Sequence, residues 1–364
     1  MNKNLKIIGT IILLLIALYL IWYFSNILVY VLIAGVLSFI GQPLVRIYNR
    51  IRIGKLKIPH TLSAIMALVS ILAVMVSIFL IFVPVITRQA AIISSIDFQY
   101  LGEKLEQPLN QLEETLKTYR FLDSTESLET IISQEMESVI DLTMAGSIFQ
   151  EVLGFAGSLF IGLFSVIFLT FFFLRDEHMF YNGILLFVPR KYEEQASAIL
   201  SDTRRLLSRY FVGLSFEVIS MIFLITTGLT IFGVESALLI GFLGGLMNII
   251  PYLGPIIGAS IGVVIGATSN ISMGYYDDIL PISAIIIGTF AIANLIDNMV
   301  LQPLIYSASV KSHPIEIFLV ILMAGSLAGI PGMILAIPGY TVLRIIAKQF
   351  FAQYKLVERL TENI

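Results

Sequence analysis

The sequence predicts an all-α polytopic membrane protein. Three observations carry this: 57% of the 364 residues are hydrophobic, only 13% are charged, and the mean hydropathy is +0.93. A soluble domain would be roughly a quarter charged. The composition therefore excludes an ordinary soluble enzyme, a disordered chain and a small secreted module. A net charge of -3 gives no argument for a nucleic-acid partner. The chain has no cysteine and only three histidines, so thiolate sites are excluded and an imidazole metal centre has few ligands to draw on. No metal or cofactor is expected.

Uncharged runs define the spans. Residues 7–45 carry no charge and, at about 20 residues per crossing, hold two helices with a turn near Ser25 and Asn26. Lys3 and Lys6 precede this run as in a signal peptide. No small-residue cleavage site follows, so the run reads as a retained first helix. Further runs cover 61–87, 152–174, 210–234 with Glu217 inside, 236–276, 279–303 with Asp297 inside, and 317–343.

Basic residues orient these spans. Arg46, Arg50, Arg52, Lys55 and Lys57 stand together without an acid, which places them and Lys3 and Lys6 on the cytoplasmic side. Residues 88–151 hold 12 acids against 4 bases and fall outside. Residues 175–209 hold six bases and return inside. Asp277 and Asp278 then lie outside, Arg344 and Lys348 inside. The expected organisation is membrane helices 1–3 over 1–87, an extracytoplasmic helical insert over 88–151, and a fourth membrane helix with a cytoplasmic helical segment over 152–209. A core of repeats over 210–346 and a cytoplasmic tail over 347–364 complete it. Within the insert, Leu101, Leu105, Leu109, Leu112 and Leu116 make one apolar face. Ser124 opens a second helix striped by Leu128 through Ile140. A helical hairpin is the plainer reading of this insert, a ligand-capturing domain the sharper one.

The stretch 236–276 contains Asn248-Ile249-Ile250-Pro251-Tyr252-Leu253-Gly254-Pro255. Two prolines and a glycine in five residues break a helix. The arms 236–250 and 255–270 are each about 22 Å long at 1.5 Å per residue, short of a bilayer core of about 30 Å. A re-entrant hairpin over 236–270 is expected. The pattern recurs over 315–345, broken at Gly329-Ile330-Pro331-Gly332 and again at Pro338-Gly339. Helix 210–234 with the first hairpin, and helix 279–303 with the second, then form repeats of opposite orientation. Such opposed broken hairpins mark substrate sites in many secondary transporters, while structural kinks satisfied by neighbouring helices are the alternative.

Polar residues within the spans supply site candidates. Asn294, Asn298 and Gln302 recur at spacing four with Asp297 beside them. A charge at such depth is costly and usually functional; a salt bridge near the helix end is the plainer reading. Glu217 lies one to two turns into its helix, where an interfacial position competes with a coupling role. Asn248 stands just before the first break. Gly254, Gly258, Gly262 and Gly266 form a smooth stripe, for static packing or for sliding. Gly154, Ser158 and Gly162 form another. No phosphate-binding loop or paired-histidine motif occurs. Ser326, with His313 as the nearest histidine, is a weak nucleophile candidate. No enzyme is expected.

Ile250-Pro251-Tyr252-Leu253-Gly254-Pro255, Asp297-Asn298 through Gln302-Pro303, His313-Pro314, Gly329-Ile330-Pro331-Gly332 and Ala336-Ile337-Pro338 together resemble the autoinducer-2 exporter family of bacterial membrane proteins. With the Phe173-Leu174-Arg175-Asp176 exit, the resemblance spans nearly the whole chain. It implies a permease-like protein of the bacterial inner membrane, homo-oligomeric and pentameric, with an elevator-like moving domain. Members of the family are linked to export of a signalling furanone, and some to sodium or lithium/proton antiport. Glu316 departs from the apolar pattern expected after His313-Pro314. Three functions follow as expectations. The first is export of a small polar organic solute, with Asn248, Pro251, Tyr252, Gly254, Pro255, Asn294, Asp297, Asn298, Gln302, Gly329, Pro331 and Gly332 around the site and Asp297 and Glu217 as coupling groups. The second is sodium(lithium)/proton antiport on the same scaffold. The third is a non-transporting oligomeric scaffold whose acidic outer helices bind a partner.

Overall fold

An apolar run away from water must satisfy its own backbone polar groups, and the helix does so within one segment. The computed structural model, which describes residues 12, 16, 19–20, 23–53, 56–94, 156–176, 179–276, 278–303 and 313–351, has this all-helical architecture. Six of its helical stretches are long and apolar enough to cross a membrane. Most of the expected first helix, the insert from residue 95 onward, Asp277 and the tail from 352 lie outside the described residues.

Helix α1 (Ser25–Arg50) begins directly after Phe24, where the turn was expected. A two-residue antiparallel ladder that the sequence reading did not anticipate follows it, with β1 (Arg52–Ile53) paired to β2 (Leu56–Lys57). Next come α2 (His60–Ser94), α3 (Ala156–Arg175) and the short α4 (Met179–Leu185). A 3₁₀ turn over Arg190–Tyr192 leads into α5 (Glu193–Ile231), one continuous helix of 39 residues. Glu193 and Glu194 in its first turn complement the positive end of the helix dipole.

The chain divides into two compact units, residues 1–76 with 154–211, and 77–153 with 212–364. In the first unit α1 packs on α3, around Val45, Ala64, Ala67 and Leu174. Gly41 makes that approach close: a Cβ there would sit 2.8 Å from Ile71 Cδ1 and 2.9 Å from Leu174 Cδ2. Of the second small-residue stripe, Gly162 faces the Tyr30 ring, and Gly154 lies outside the described residues.

The second unit is built on Met221, Ile225 and Leu229 of α5, packed with Ile240, Ile286 and Phe290. Its first hairpin is α6 (Ala237–Met247) and α7 (Leu253–Met273), followed by α8 (Ile279–Ile296). The glycine stripe of α7 is a packing seam. A Cβ on Gly258 would meet the Gly244 Cα of α6 at 3.0 Å, and one on Gly262 would meet Ile240 at 2.8 Å and Ile286 at 3.2 Å.

The hairpin arms are unequal, unlike the equal arms expected. Helix α6 has 11 residues, about 16 Å. Helix α7 has 21, about 31 Å, and ranks among the membrane-length stretches. The reason is local. Gly254 and Pro255 sit inside the first turn of α7, where backbone N–H groups have no intrahelical partner and proline costs nothing.

Helix α9 (Pro314–Phe351) is broken only at Ala328 and Gly329, whose backbones leave the helical region. The chain folds back there. Tyr340 donates to Glu316 at 3.3 Å, although 24 residues of straight helix would separate them by about 36 Å. The expected second break at Pro338-Gly339 is absent, and the helix runs through it. A proline removes one backbone bond, which a helix in apolar surroundings tolerates when neighbours pack on it; Pro338 is buried.

Candidate functional site

The first break places its polar residues by turn chemistry. Asn248 ends α6, its N–H bonded to the Gly244 carbonyl. The chain then reverses at Pro251-Tyr252-Leu253. The Leu253 N–H donates to the Pro251 carbonyl at 2.8 Å across Tyr252, whose φ is 66 and ψ -45. This is the positive-φ γ-turn, a strained conformation for a residue with a side chain. Gly254 is required by proximity, because a Cβ would overlap the Met247 carbonyl. The exposed Tyr252 ring meets Phe318 edge-on at 5.9 Å.

At its end α8 passes into a π-helical turn over Asp297–Leu301. On an α-helix residues five apart point about 140° away from one another. The wider turn closes that angle. The Gln302 N–H bonds the Asp297 carbonyl, and Gln302 Nε2 donates to Asp297 Oδ2 at 2.8 Å. The spacing-four face expected from sequence is thereby split. Asn298 is exposed and Asn294 half-buried, while Asp297 is only 1% exposed.

Glu217 on α5 joins this cluster. It is 4% exposed and Asn248 5%, and Asn248 Nδ2 donates to Glu217 Oε1 at 3.3 Å. Asn248 and Glu217 are also polar neighbours of the Asp297 carboxyl group, whose Oδ1 is buried without a hydrogen bond of its own. Of the sequence candidates, Glu217, Asn248, Asp297 and Gln302 therefore come together, with Pro251, Tyr252, Gly254 and Pro255 forming the adjoining turn. Gly329, Pro331 and Gly332 shape the second break, and no hydrogen bond links them to the cluster among the described residues. Burial of Glu217 was the less expected outcome; position in the helix alone gave no sign of it.

The arrangement has a chemical consequence. Two adjoining carboxyl groups away from water call for a compensating cation or a proton. Two side-chain amides add oxygen acceptors and N–H donors, enough to hold a proton, a small cation or the hydroxyls of a polar solute. No group of three or more His, Asp or Glu able to hold a metal occurs among the described residues. Ser326 donates to the Met323 carbonyl at 2.8 Å, and His313 Nδ1 accepts from the Ile315 N–H, so each is engaged within its own segment.

The model of the AI-2E family transporters matches residues 11–352. The chain belongs to the AI-2E transporter family. Its relatives carry names of the same kind. YueF of Bacillus subtilis, a candidate transport protein by name, is 26% identical over 358 residues, covering 94% of this chain and 89% of YueF. MJ1177 of Methanocaldococcus jannaschii, named likewise, is 25% identical over 349 residues and 94% of each chain. YrrI of Bacillus subtilis is 31% identical over 185 residues, about half of each protein. Within the AI-2E family this chain is thus a multi-pass membrane protein of transporter type. The polar cluster at the first hairpin and the π turn is its candidate site.

Proposed function

We propose that this AI-2E family protein is a secondary transporter that exports a small polar organic solute of the autoinducer-2 kind, with flux coupled through Asp297 and Glu217. The observation that carries the reading is the pair of buried carboxyl groups, each bonded to an amide, beside a strained hairpin turn. In this reading the first hairpin is re-entrant. Backbone groups at 250–254 and the amides of Asn248 and Gln302 bind solute hydroxyls. A proton or sodium ion balances the carboxylates. The whole cluster belongs to the second unit, which supports an elevator-like movement of that unit as one body. The protein sits in the bacterial cytoplasmic membrane with both termini inside, as a homo-oligomer.

The test is transport by purified protein in proteoliposomes, following internal pH and sodium while a panel of small polyols and furanones is offered. Solute flux that needs an ion gradient and falls at least tenfold in Asp297→Asn is the expected result. Equal flux after collapse of the gradients and in Asp297→Asn overturns the coupling. The same carboxyl pair favours a second reading, sodium(lithium)/proton antiport, because carboxylate and amide oxygens are the hard donors such cations take. Cation–proton exchange with no solute present selects it. The scaffold alternative rests on the acidic insert; it predicts partner binding that survives changes at both hairpin breaks.

A further inference from the structure

The first unit contains a cavity of about 570 Å³ that the transport reading does not use. Arg46 of α1 and Arg204, Arg205 and Arg209 of α5 line it, together with Phe39, Gln42 and Tyr181. Among the described residues no carboxylate lines it. Asp202 lies just outside and holds Arg205 at 2.8 Å. Arg46 and Arg209 are exposed.

We infer that this cavity binds the headgroup of an anionic phospholipid carrying hydroxyl donors, phosphatidylglycerol being the simplest. Three observations lead there. The first is charge: several guanidinium groups converge on one cavity, and the planar guanidinium fork suits phosphate oxygens. The second is depth. The uncharged run of α1 ends at Val45 and that of α5 begins at Tyr210, so the arginines stand where apolar helix gives way to water, the level of lipid phosphates. Basic pockets between membrane helices at that level bind anionic headgroups. Phe39 lies two turns further in and stacks with Phe211 at 6.2 Å, a floor fit for the first acyl carbons and of no use to a soluble anion. The third is Gln42. It is 4% exposed, its Nε2 reaches the Phe173 carbonyl, and its Oε1 is buried without a donor. A phosphodiester has no proton to offer that oxygen at neutral pH, whereas a glycerol hydroxyl does.

The experiment is native mass spectrometry of the full-length protein in detergent, titrated with dioctanoyl phosphatidylglycerol, phosphatidic acid or phosphatidylcholine. Wild type is expected to bind phosphatidylglycerol at least tenfold more tightly than phosphatidylcholine. The variant Arg46→Gln/Arg209→Gln loses at least tenfold. Arg50→Gln/Arg190→Gln, which removes the same charge away from the cavity, stays within twofold. Gln42→Leu keeps anion binding and loses the preference for phosphatidylglycerol over phosphatidic acid. Equal loss in both double variants means diffuse surface charge and overturns the site. Displacement by inorganic phosphate or glycerol phosphate at concentrations equal to the lipid assigns a soluble anion and overturns the lipid. Should the first double variant elute as misfolded protein on gel filtration, competition among the three lipids on wild type decides: equal binding of phosphatidylcholine overturns the proposal.

Discussion

The two broken hairpins share a plan and differ in how they are anchored. Each has a short arm, a break and a long arm: 11 and 21 residues in the first, about 14 and 22 either side of Gly329 in the second, read from the helix bounds. The first is held by backbone proximity. Gly244, Gly258 and Gly262 let α6, α7 and α8 meet at contact distance, and its turn adjoins three buried polar side chains, Glu217, Asn248 and Asp297, with the half-buried Gln302. The second has one such approach, at Gly332, where a Cβ would overlap the Ala324 carbonyl, and is braced further along by side chains. Glu316 accepts from Tyr340, and Arg344 lies over the Tyr340 ring at 5.7 Å. Its break is flanked by Leu327, 85% exposed, and Ile330. The shared pattern of breaks thus conceals a structural difference: one break adjoins the polar cluster, the other is presented outward.

The largest test of that contrast sits at Asn248. Asn248→Leu leaves the buried Glu217 carboxyl without its amide, a loss of about 1–3 kcal/mol or more, and transport should fall roughly 10- to 100-fold in proteoliposomes. Ile330→Ala at the other break should stay within about twofold. Equal losses would erase the distinction between the hairpins.

Packing gives the next effect. Gly258→Val forces a side chain into the Gly244 backbone and the Phe290 ring, and overpacking of this kind costs about 1–3 kcal/mol. Gly339 has nothing within 4 Å of its would-be Cβ; Gly339→Ala should be neutral or stabilising by about 0.4–1 kcal/mol. Thermal unfolding in detergent separates the two, and similar losses would mean that both hairpins are closely packed. A smaller effect is expected at the clamp of the second hairpin. Tyr340→Phe removes one hydrogen bond, about 1 kcal/mol, and should raise hydrogen exchange in 314–351 while leaving 237–273 unchanged. Spread of the change into the first hairpin would show that the two are coupled.

The smallest effect is at Tyr252. Tyr252→Gly relieves positive-φ strain of about 1–3 kcal/mol and gives up an aromatic contact of about 0.5–1.5 kcal/mol and some backbone restriction, so stability should move by no more than about 1 kcal/mol. A transport defect without a stability defect would assign the strain to function; unchanged transport would make it incidental.

Much of this architecture was legible. Charges are expensive in apolar surroundings, so the uncharged runs gave the spans, and proline with glycine gave both breaks. What stayed hidden follows from geometry that residue type does not encode. Proline at 255 and 338 was read as a break in both cases, yet at 255 it occupies a first turn and at 338 it is carried through a helix. Asp297 and Gln302 were both singled out, but on a face of period four; nothing in Asp297-Asn298-Met299-Val300-Leu301 announces a wider turn. Glu217 could be placed along its helix and not around it. The arginines 46 and 204–209 served to orient the chain, and only the fold shows that they converge.

The π turn is, in the end, a phase shift. One surplus residue in a turn advances everything after it by about 100° relative to an uninterrupted helix. Gln302 meets Asp297 because of that advance, and so does the direction in which the chain leaves toward residue 303. Removing Val300 alone would delete no polar group and alter no charge, and it would let the turn relax to an ordinary α turn with the amide four residues from the carboxylate, about 40° apart on one face, so the pairing would survive. In this part of the molecule length is information: an alignment gap of one between relatives, usually discounted as noise, would here separate proteins that make the pairing on a π turn from proteins that make it on an α turn.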